Sequence, residues 1–134
     1  MYYAAQRKRS LYEELGGDDG IRKLVEEFYD IVEQDEEARD LHFLHLQGAG
    51  VAHSRLEQFN YLCGFFGGPQ YYVMKHRHAR LREIHEHVPI DGRMRNLWLK
   101  CMEKAIRNVG LGEDLARVLM HHFTTAAETA RNMD

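Results

Sequence analysis

The sequence is poor in proline and cysteine, and it contains no long apolar run. Only two prolines occur in 134 residues, which suits long helices because proline breaks them. The two cysteines, Cys63 and Cys101, lie in apolar surroundings without a Cys-x-x-Cys pair, so we expect buried free thiols. No apolar stretch approaches the ~20 residues that a membrane span needs. The basic residues near the N-terminus are not followed by an apolar run, so we expect no secretory signal there. These absences predict a cytoplasmic protein with no membrane partner.

Neither sign of charge dominates the chain. Eighteen Lys and Arg stand against 21 Asp and Glu, for a net charge of −3. Because a nucleic-acid-binding domain carries a basic excess, we expect no nucleic-acid partner. The length fits a single domain over residues 1–134, with about residues 1–10 as an N-terminal extension. Monomer and homodimer both remain open.

Apolar residues recur at helical spacing through most of the chain. Steps of three and four residues indicate four amphipathic helices, and no segment alternates with a period of two. The stripes run over 21–32, 51–66, 94–109 and 115–130. Asp18 or Asp19 is expected to cap the first helix, Asp91-Gly92 to open the third, and Glu113-Asp114 to lie in the first turn of the fourth. Leu56 and His122 are placed on the apolar faces of the second and fourth. A short helical turn is expected over 36–46. The sequence predicts an all-α fold.

Nine histidines are many for this length, and His85 is the most informative of them. It lies on an apolar helical face between Leu81 and Val88. One interpretation is a core histidine whose polar atoms are satisfied locally. The other is a metal ligand whose second ring nitrogen donates to a carbonyl one turn earlier, as in a haem protein with a single histidine ligand.

Two glycine-containing breaks, one histidine motif and one tryptophan connect His85 to a known family. They are Tyr12-x-x-Leu15-Gly16-Gly17, Phe65-Phe66-Gly67-Gly68-Pro69, then His78-x-x-Leu81-Arg82-x-x-His85, with Trp98 thirteen residues after His85. In this order and spacing the chain resembles the truncated haemoglobins of group II, over about residues 12–131. The resemblance implies a two-over-two helical sandwich that holds one haem b.

The resemblance also implies roles for individual residues. His85 is the expected proximal iron ligand, with Leu81 beside the haem and Arg82 near a haem propionate. Tyr29 is the expected distal tyrosine, and Trp98 the distal indole. Read without the resemblance, Tyr29 is equally well an ordinary half-buried aromatic residue.

The family places a further polar ring shortly after the tyrosine-bearing helix. Counting forward from Tyr29 reaches His42, whereas counting back from Gly67 reaches His45. The two counts disagree because the segment 41–53 is about four residues longer than is usual in the family. We favour His42 as the residue that lines the distal pocket.

The second long helix supplies the remaining distal residues. Counting back from Gly67 places Ser54 at the gate and Gln58 over the iron, with Phe59 beside it against the haem. A buried amide without a partner costs about 1–3 kcal/mol, so a bound ligand would explain Gln58. Alternatively, the helix is rotated and Gln58 is solvated.

Four classes of function follow from these features. The leading one is a haem-binding globin for O2, NO, CO or similar ligands, with oxygen transport as one use. A redox enzyme that reduces peroxide or removes nitric oxide is the second, and it requires an external, unidentified electron donor. A non-haem di-iron bundle is suggested by His53-x-x-x-Glu57, although the chain lacks the Glu-x-x-His pairs of such sites. A helical interaction module is the fourth.

Overall fold

The computed structural model describes residues 9–134, and every regular element in that range is helical. The helices are α1 (Leu11–Glu14), α2 (Gly17–Gln34), a 3₁₀ turn (Glu36–Ala38), α3 (Arg39–Gln47), α4 (Val51–Phe65), α5 (Tyr71–His76), α6 (Leu81–Ile84), α7 (Gly92–Asn108) and α8 (Glu113–Ala130). The all-α prediction is confirmed. The N-terminal extension expected over residues 1–10 lies outside the described residues except for its last two. Within the described range, no helix is long and apolar enough to cross a bilayer.

Helix α2 organises the core because it packs against both α4 and α7, while α7 also packs against α8. Its side chains Ile21, Leu24 and Phe28 are fully buried and follow the three- and four-residue steps seen in the sequence. Each such side chain contributes about 1.5–3 kcal/mol through burial. Leu119 of α8 completes the same core. Two helical pairs, α2 with α4 and α7 with α8, therefore form the body of the protein.

Two of the expected helix starts agree with the structure and one does not. Asp91 caps α7, where its side chain accepts a hydrogen bond from the Met94 amide at 2.8 Å. Helix α8 carries its two acidic residues in the first turn, as expected. Helix α2, however, begins at Gly17, and Asp18 does not cap it. The Asp18 carboxylate instead accepts hydrogen bonds from the hydroxyls of two tyrosines.

Two residues placed on apolar faces, Leu56 and His122, are exposed. Leu56 is 50% exposed, because five residues along a helix turn it about 140° away from the buried Val51. His121 and His122 are both exposed, so the expectation that one of them faces the core is wrong. The buried face of α8 near these histidines is narrower than its apolar stripe and is occupied by Phe123.

The connecting segments and the cysteines agree with expectation. The short helical turn predicted over 36–46 is the 3₁₀ turn followed by α3. Cys63 and Cys101 are buried free thiols. Burial raises the pKa of Cys63 to about 12 and that of Cys101 to about 11. Both thiols therefore remain protonated and unreactive at neutral pH.

Candidate functional site

A cavity of about 490 Å³ lies among helices α2 to α8. Aliphatic and aromatic side chains make most of its wall. Its polar lining includes Tyr29, His45, His53, Ser54, Glu57, Gln58, Tyr61, Tyr72, His76, His85, Arg95 and Trp98. An apolar cavity of this size with a few polar groups directed into it has the form of a small-molecule or cofactor site.

His85 lies directly after α6 and lines the cavity together with Leu81. Its Nδ1 donates a hydrogen bond to the Leu81 carbonyl at 2.8 Å, which is the bond predicted from the sequence. Burial lowers the pKa of His85, so the ring is neutral at physiological pH. With its proton on Nδ1, the neutral ring keeps a lone pair on Nε2, the form in which imidazole binds a metal.

A residue that the sequence did not single out holds the segment that carries His85. The Asn132 side chain donates to the backbone carbonyls of His85 at 3.1 Å and Val88 at 2.8 Å. Its Oδ1 also accepts from the Ile90 amide at 2.9 Å. Asn132 follows α8, 47 residues from His85, and no local pattern marks it. It fixes the chain around the imidazole.

Tyr29 and Trp98 line the cavity from α2 and α7, as the family roles require. Tyr29 is only 2% exposed, and burial raises its pKa, so its hydroxyl stays protonated. Phe28 packs between them, with ring centroids 4.8 Å from Tyr29 and 5.1 Å from Trp98. The Trp98 ring also contacts Phe123 of α8 at 5.5 Å. These ring contacts fix both hydrogen-bond donors in place.

The polar ring contributed by α3 is His45, and the expectation that His42 lines the pocket is wrong. Leu41 is buried and lines the cavity. Residues three and four positions later share its helical face, which brings Leu44 and His45 to the cavity. His42 is one position after Leu41 and so turns about 100° away. The His45 ring meets the Tyr29 ring edge-on, with centroids 5.4 Å apart.

Helix α4 places Gln58 and Ser54 on the cavity, but not Phe59. Phe59 is buried on another side of the helix, where its ring stacks with Tyr71 at 5.9 Å. The Arg22 guanidinium lies 4.1 Å above the same ring. Neighbouring residues on a helix point about 100° apart, so Phe59 turns away where Gln58 turns in. Phe59 therefore does not line the cavity, contrary to expectation.

Arg82 is also placed differently from the expectation. Its side chain is exposed and does not line the cavity, whereas its neighbour Leu81 does. A charged side chain that does line the cavity is Glu57 of α4. Its carboxylate accepts hydrogen bonds from Lys75 at 3.0 Å and from His76 of α5. Burial opposes the charge of Glu57, but these two partners outweigh it and lower its pKa.

The same contacts bear on the di-iron alternative. Glu57 is engaged by α5, and its helical neighbour His53 is exposed. Within residues 9–134, no group of three or more His, Cys, Asp or Glu side chains is arranged to hold a metal ion. The His53-x-x-x-Glu57 spacing therefore does not build a di-iron site in this fold.

These features define a class of protein: a helical chain whose apolar cavity offers imidazole lone pairs and several hydrogen-bond donors. A flat, largely apolar group whose metal takes one or two protein ligands fits such a cavity, and haem is that group. The chain belongs to the bacterial-like globin family, whose sequence model matches residues 10–132. Membership of this family and the fold make it a haem-binding globin.

Individual relatives agree with this assignment. Group 2 truncated hemoglobin YjbI of Bacillus subtilis is 29% identical over 117 residues, which are 87% of this chain and 83% of the relative. The cold-adapted truncated hemoglobin of Pseudoalteromonas haloplanktis TAC125 is 32% identical with a TM-score of 0.88, over 94% of this chain and 100% of the other. A group II 2-on-2 hemoglobin of Agrobacterium tumefaciens is 30% identical, again with a TM-score of 0.88, over 96% and 98% of the two chains. The two-over-two fold and the resemblance to group II are confirmed.

Proposed function

We propose that this globin reversibly binds O2 and related diatomic ligands, NO and CO among them, at a haem b whose iron His85 holds. Haem supplies the metal at which such a ligand is held. One observation carries the proposal: Tyr29, Gln58 and Trp98 bring hydrogen-bond donors into the same apolar cavity as a neutral His85.

The proximal role follows from how His85 is bonded. The hydrogen bond from Nδ1 to the Leu81 carbonyl fixes the tautomer and the ring orientation, and it makes Nε2 a better ligand. Asn132 holds the backbone of the same segment at two carbonyls. The His85 ring is therefore already held in one orientation before it binds the metal.

The distal role follows from the type of hydrogen-bonding group. The Trp98 indole is a donor only, the Gln58 amide carries two donor hydrogens, and the buried Tyr29 hydroxyl keeps its proton. A diatomic ligand that gathers negative charge on its outer atom accepts such bonds. Each bond contributes about 1–3 kcal/mol, which corresponds to roughly 5- to 150-fold in the ligand dissociation rate. The apolar wall excludes water that would otherwise compete for these donors.

The test is spectroscopic and kinetic. Protein reconstituted with haem b is expected to show a Soret band and to bind O2 reversibly. Tyr29→Phe removes one donor hydroxyl with little change in shape, and we expect O2 to dissociate at least several-fold faster. Trp98→Phe is expected to act in the same direction.

Tyr71→Phe is the matched control, because it removes a hydroxyl that is bonded to Asp18 away from the cavity. Its O2 dissociation rate is expected to equal that of the wild type. Unchanged rates in both Tyr29→Phe and Trp98→Phe would contradict the distal part of the proposal. Absence of a Soret band in reconstituted wild-type protein would contradict all of it.

A further inference from the structure

His45 repeats the local bonding of His85. Its Nδ1 donates a hydrogen bond to the Leu41 carbonyl at 2.9 Å, as that of His85 does to the Leu81 carbonyl at 2.8 Å. In both cases the acceptor is the carbonyl four residues earlier. A carbonyl only accepts, so each neutral ring carries its proton on Nδ1 and its lone pair on Nε2. A ring in this state is able to bind a metal through Nε2 and has no hydrogen to donate from that atom.

The two rings line the same cavity from different helices, His45 from α3 and His85 after α6. Burial is the largest cause that lowers the pKa of His45, and it favours the neutral ring. A neutral imidazole is the form that binds a metal.

The other polar groups of the cavity are less suited to this role. The Nε2 of His76 is already bonded to the Glu57 carboxylate. Burial raises the pKa of Tyr29, so its hydroxyl keeps the proton that it would have to lose to become a strong ligand. His53 also lines the cavity, but its side chain is exposed. His45 and His85 are the cavity histidines whose Nδ1 is bonded to a backbone carbonyl, which leaves the lone pair on Nε2.

Helix α3 is also lightly held. Of its nine residues only Leu41 is buried, while Phe43 and Leu46 are each 59% exposed. The helix is followed by Gly48 and Ala49, both exposed, before α4 begins. A segment with so few buried apolar contacts is displaced at low cost. His45 is thus carried on an element that can approach and leave the centre of the cavity.

We infer that His45 is a second protein ligand of the iron, bound through Nε2 when no external ligand is present. The inference rests on the proposed haem site at His85, but not on the identity of the diatomic ligand. His45 would bind the iron at the position that an external ligand takes. The bond between the iron and His45 Nε2 therefore has to break when the external ligand binds. No proton or electron is transferred. The apparent affinity for an external ligand is then reduced by the fraction of molecules in which His45 is bound.

The first test uses ferric holoprotein without added ligand. We expect the wild type to give low-spin absorption and electron paramagnetic resonance spectra typical of two axial imidazoles. His45→Leu is expected to retain haem and to become high-spin. His42→Leu is the matched control, because His42 lies on the same helix away from the cavity, and it is expected to stay low-spin.

A second test measures the rate at which CO binds to ferrous protein in rapid mixing. If His45 must leave first, the wild-type rate reaches a plateau at high CO concentration. In His45→Leu the rate is expected to be at least 10-fold faster and to rise linearly with CO concentration. Added imidazole is expected to restore the low-spin ferric spectrum of His45→Ala.

Several outcomes would overturn the inference. A high-spin ferric wild type excludes His45 as a ligand without any variant being needed. A low-spin spectrum that survives in His45→Leu and disappears in Tyr29→Phe assigns the position to Tyr29. Failure of the wild type to take up haem overturns the proposed function as well. Haem uptake with a high-spin ferric spectrum overturns this inference alone.

Discussion

Two regions of the molecule use polar groups in opposite ways. In the first, Asp18, Tyr12, Tyr71 and Cys63, which we call the Asp18 cluster, satisfy one another. The carboxylate accepts from Tyr12 at 2.6 Å, from Tyr71 at 2.8 Å and from the Cys63 thiol at 3.6 Å. In the second, the cavity, polar side chains such as Gln58 and Trp98 line the enclosed space. Groups bonded to one another stabilise the fold, whereas groups directed into an apolar cavity are available to a ligand.

The pKa shifts have different causes in the two regions. Within the Asp18 cluster the hydrogen bond between Asp18 and Tyr12 is the largest cause, raising the pKa of Tyr12 to about 12 and lowering that of Asp18. In the cavity the largest cause is burial, which raises the pKa of Tyr29 and lowers that of His85. In the Asp18 cluster, hydrogen-bond partners stabilise the charged carboxylate, whereas in the cavity the loss of water keeps the side chains neutral.

Two glycines, Gly20 and Gly68, allow the close packing of the chain around the Asp18 cluster. A Cβ on Gly68 would lie 2.4 Å from a ring carbon of Tyr12, and a Cβ on Gly20 would lie 1.6 Å from the Leu15 carbonyl oxygen. The Tyr12 amide also donates to the Phe66 carbonyl at 2.9 Å, at the end of α4. Close approach of α1 to α2 and to the segment after α4 therefore requires glycine.

The largest effect is expected from Gly20→Ala. The clash is with a backbone oxygen, which cannot rotate away, so we expect a loss of more than about 3 kcal/mol in the free energy of unfolding. Gly92→Ala is the control, since its nearest neighbour is an Arg95 side-chain atom at 3.7 Å at the start of α7. There we expect a gain of up to about 1 kcal/mol. Urea unfolding measures both, and equal midpoints for Gly20→Ala and wild type would contradict the clash.

His85→Gly is expected to separate function from fold. The fold is expected to survive, because the His85 side chain lines the cavity and does not pack in the hydrophobic core. Haem affinity is expected to fall by more than about 100-fold. Added imidazole should restore haem binding in part. His87→Gly is the control, since its side chain is 92% exposed two residues away. A haem spectrum that persists in His85→Gly, or is lost in His87→Gly, would contradict the assignment.

Sequence patterns predicted those site residues whose positions are set locally. His85 and its bond to the Leu81 carbonyl follow from residues within one helical turn. The family resemblance predicted Tyr29 and Trp98 for the cavity, and both lie on long regular helices, where the spacing behind the resemblance is preserved. The prediction that Gln58 lies on the cavity agrees with the structure, because the chain between Gln58 and Gly67 is almost entirely the regular helix α4.

The errors occurred where the count crossed irregular chain or where a helix is buried on two sides. Counting from Tyr29 to His42 passes through the 3₁₀ turn, whose tighter winding breaks the helical register. Helix α4 buries one face against α2 and α5 and turns another to the cavity, so the apolar Phe59 fits either face. Asn132 has no local signal, because its partners are more than 40 residues away.

Asn132→Ala is expected to have an intermediate effect on the cavity. It removes three hydrogen bonds that hold the chain around His85 without touching the imidazole. We expect haem to dissociate about 3- to 10-fold faster, since a group that supports a metal ligand contributes less than the ligand itself. Transfer of haem to an excess of an apoglobin measures this rate. Asn96→Ala on the exposed side of α7 is the control, and an equal change in both variants would contradict the role of Asn132.

The smallest effect is expected from Tyr12→Phe, and it depends on pH. Hydrogen bonds from Tyr12 and then Tyr71 lower the pKa of Asp18 in the folded protein. A carboxyl group with a lowered folded pKa stabilises the fold above its unfolded pKa, and this contribution is lost as pH falls through the folded pKa. Tyr12→Phe is therefore expected to be less stable than wild type near about pH 7, with a difference that shrinks below about pH 4. Urea unfolding at several pH values measures the difference, and Tyr72→Phe, whose ring packs against His76, is the control with no such pH dependence. A difference between Tyr12→Phe and wild type that stays constant with pH would show that Tyr12 acts by packing alone.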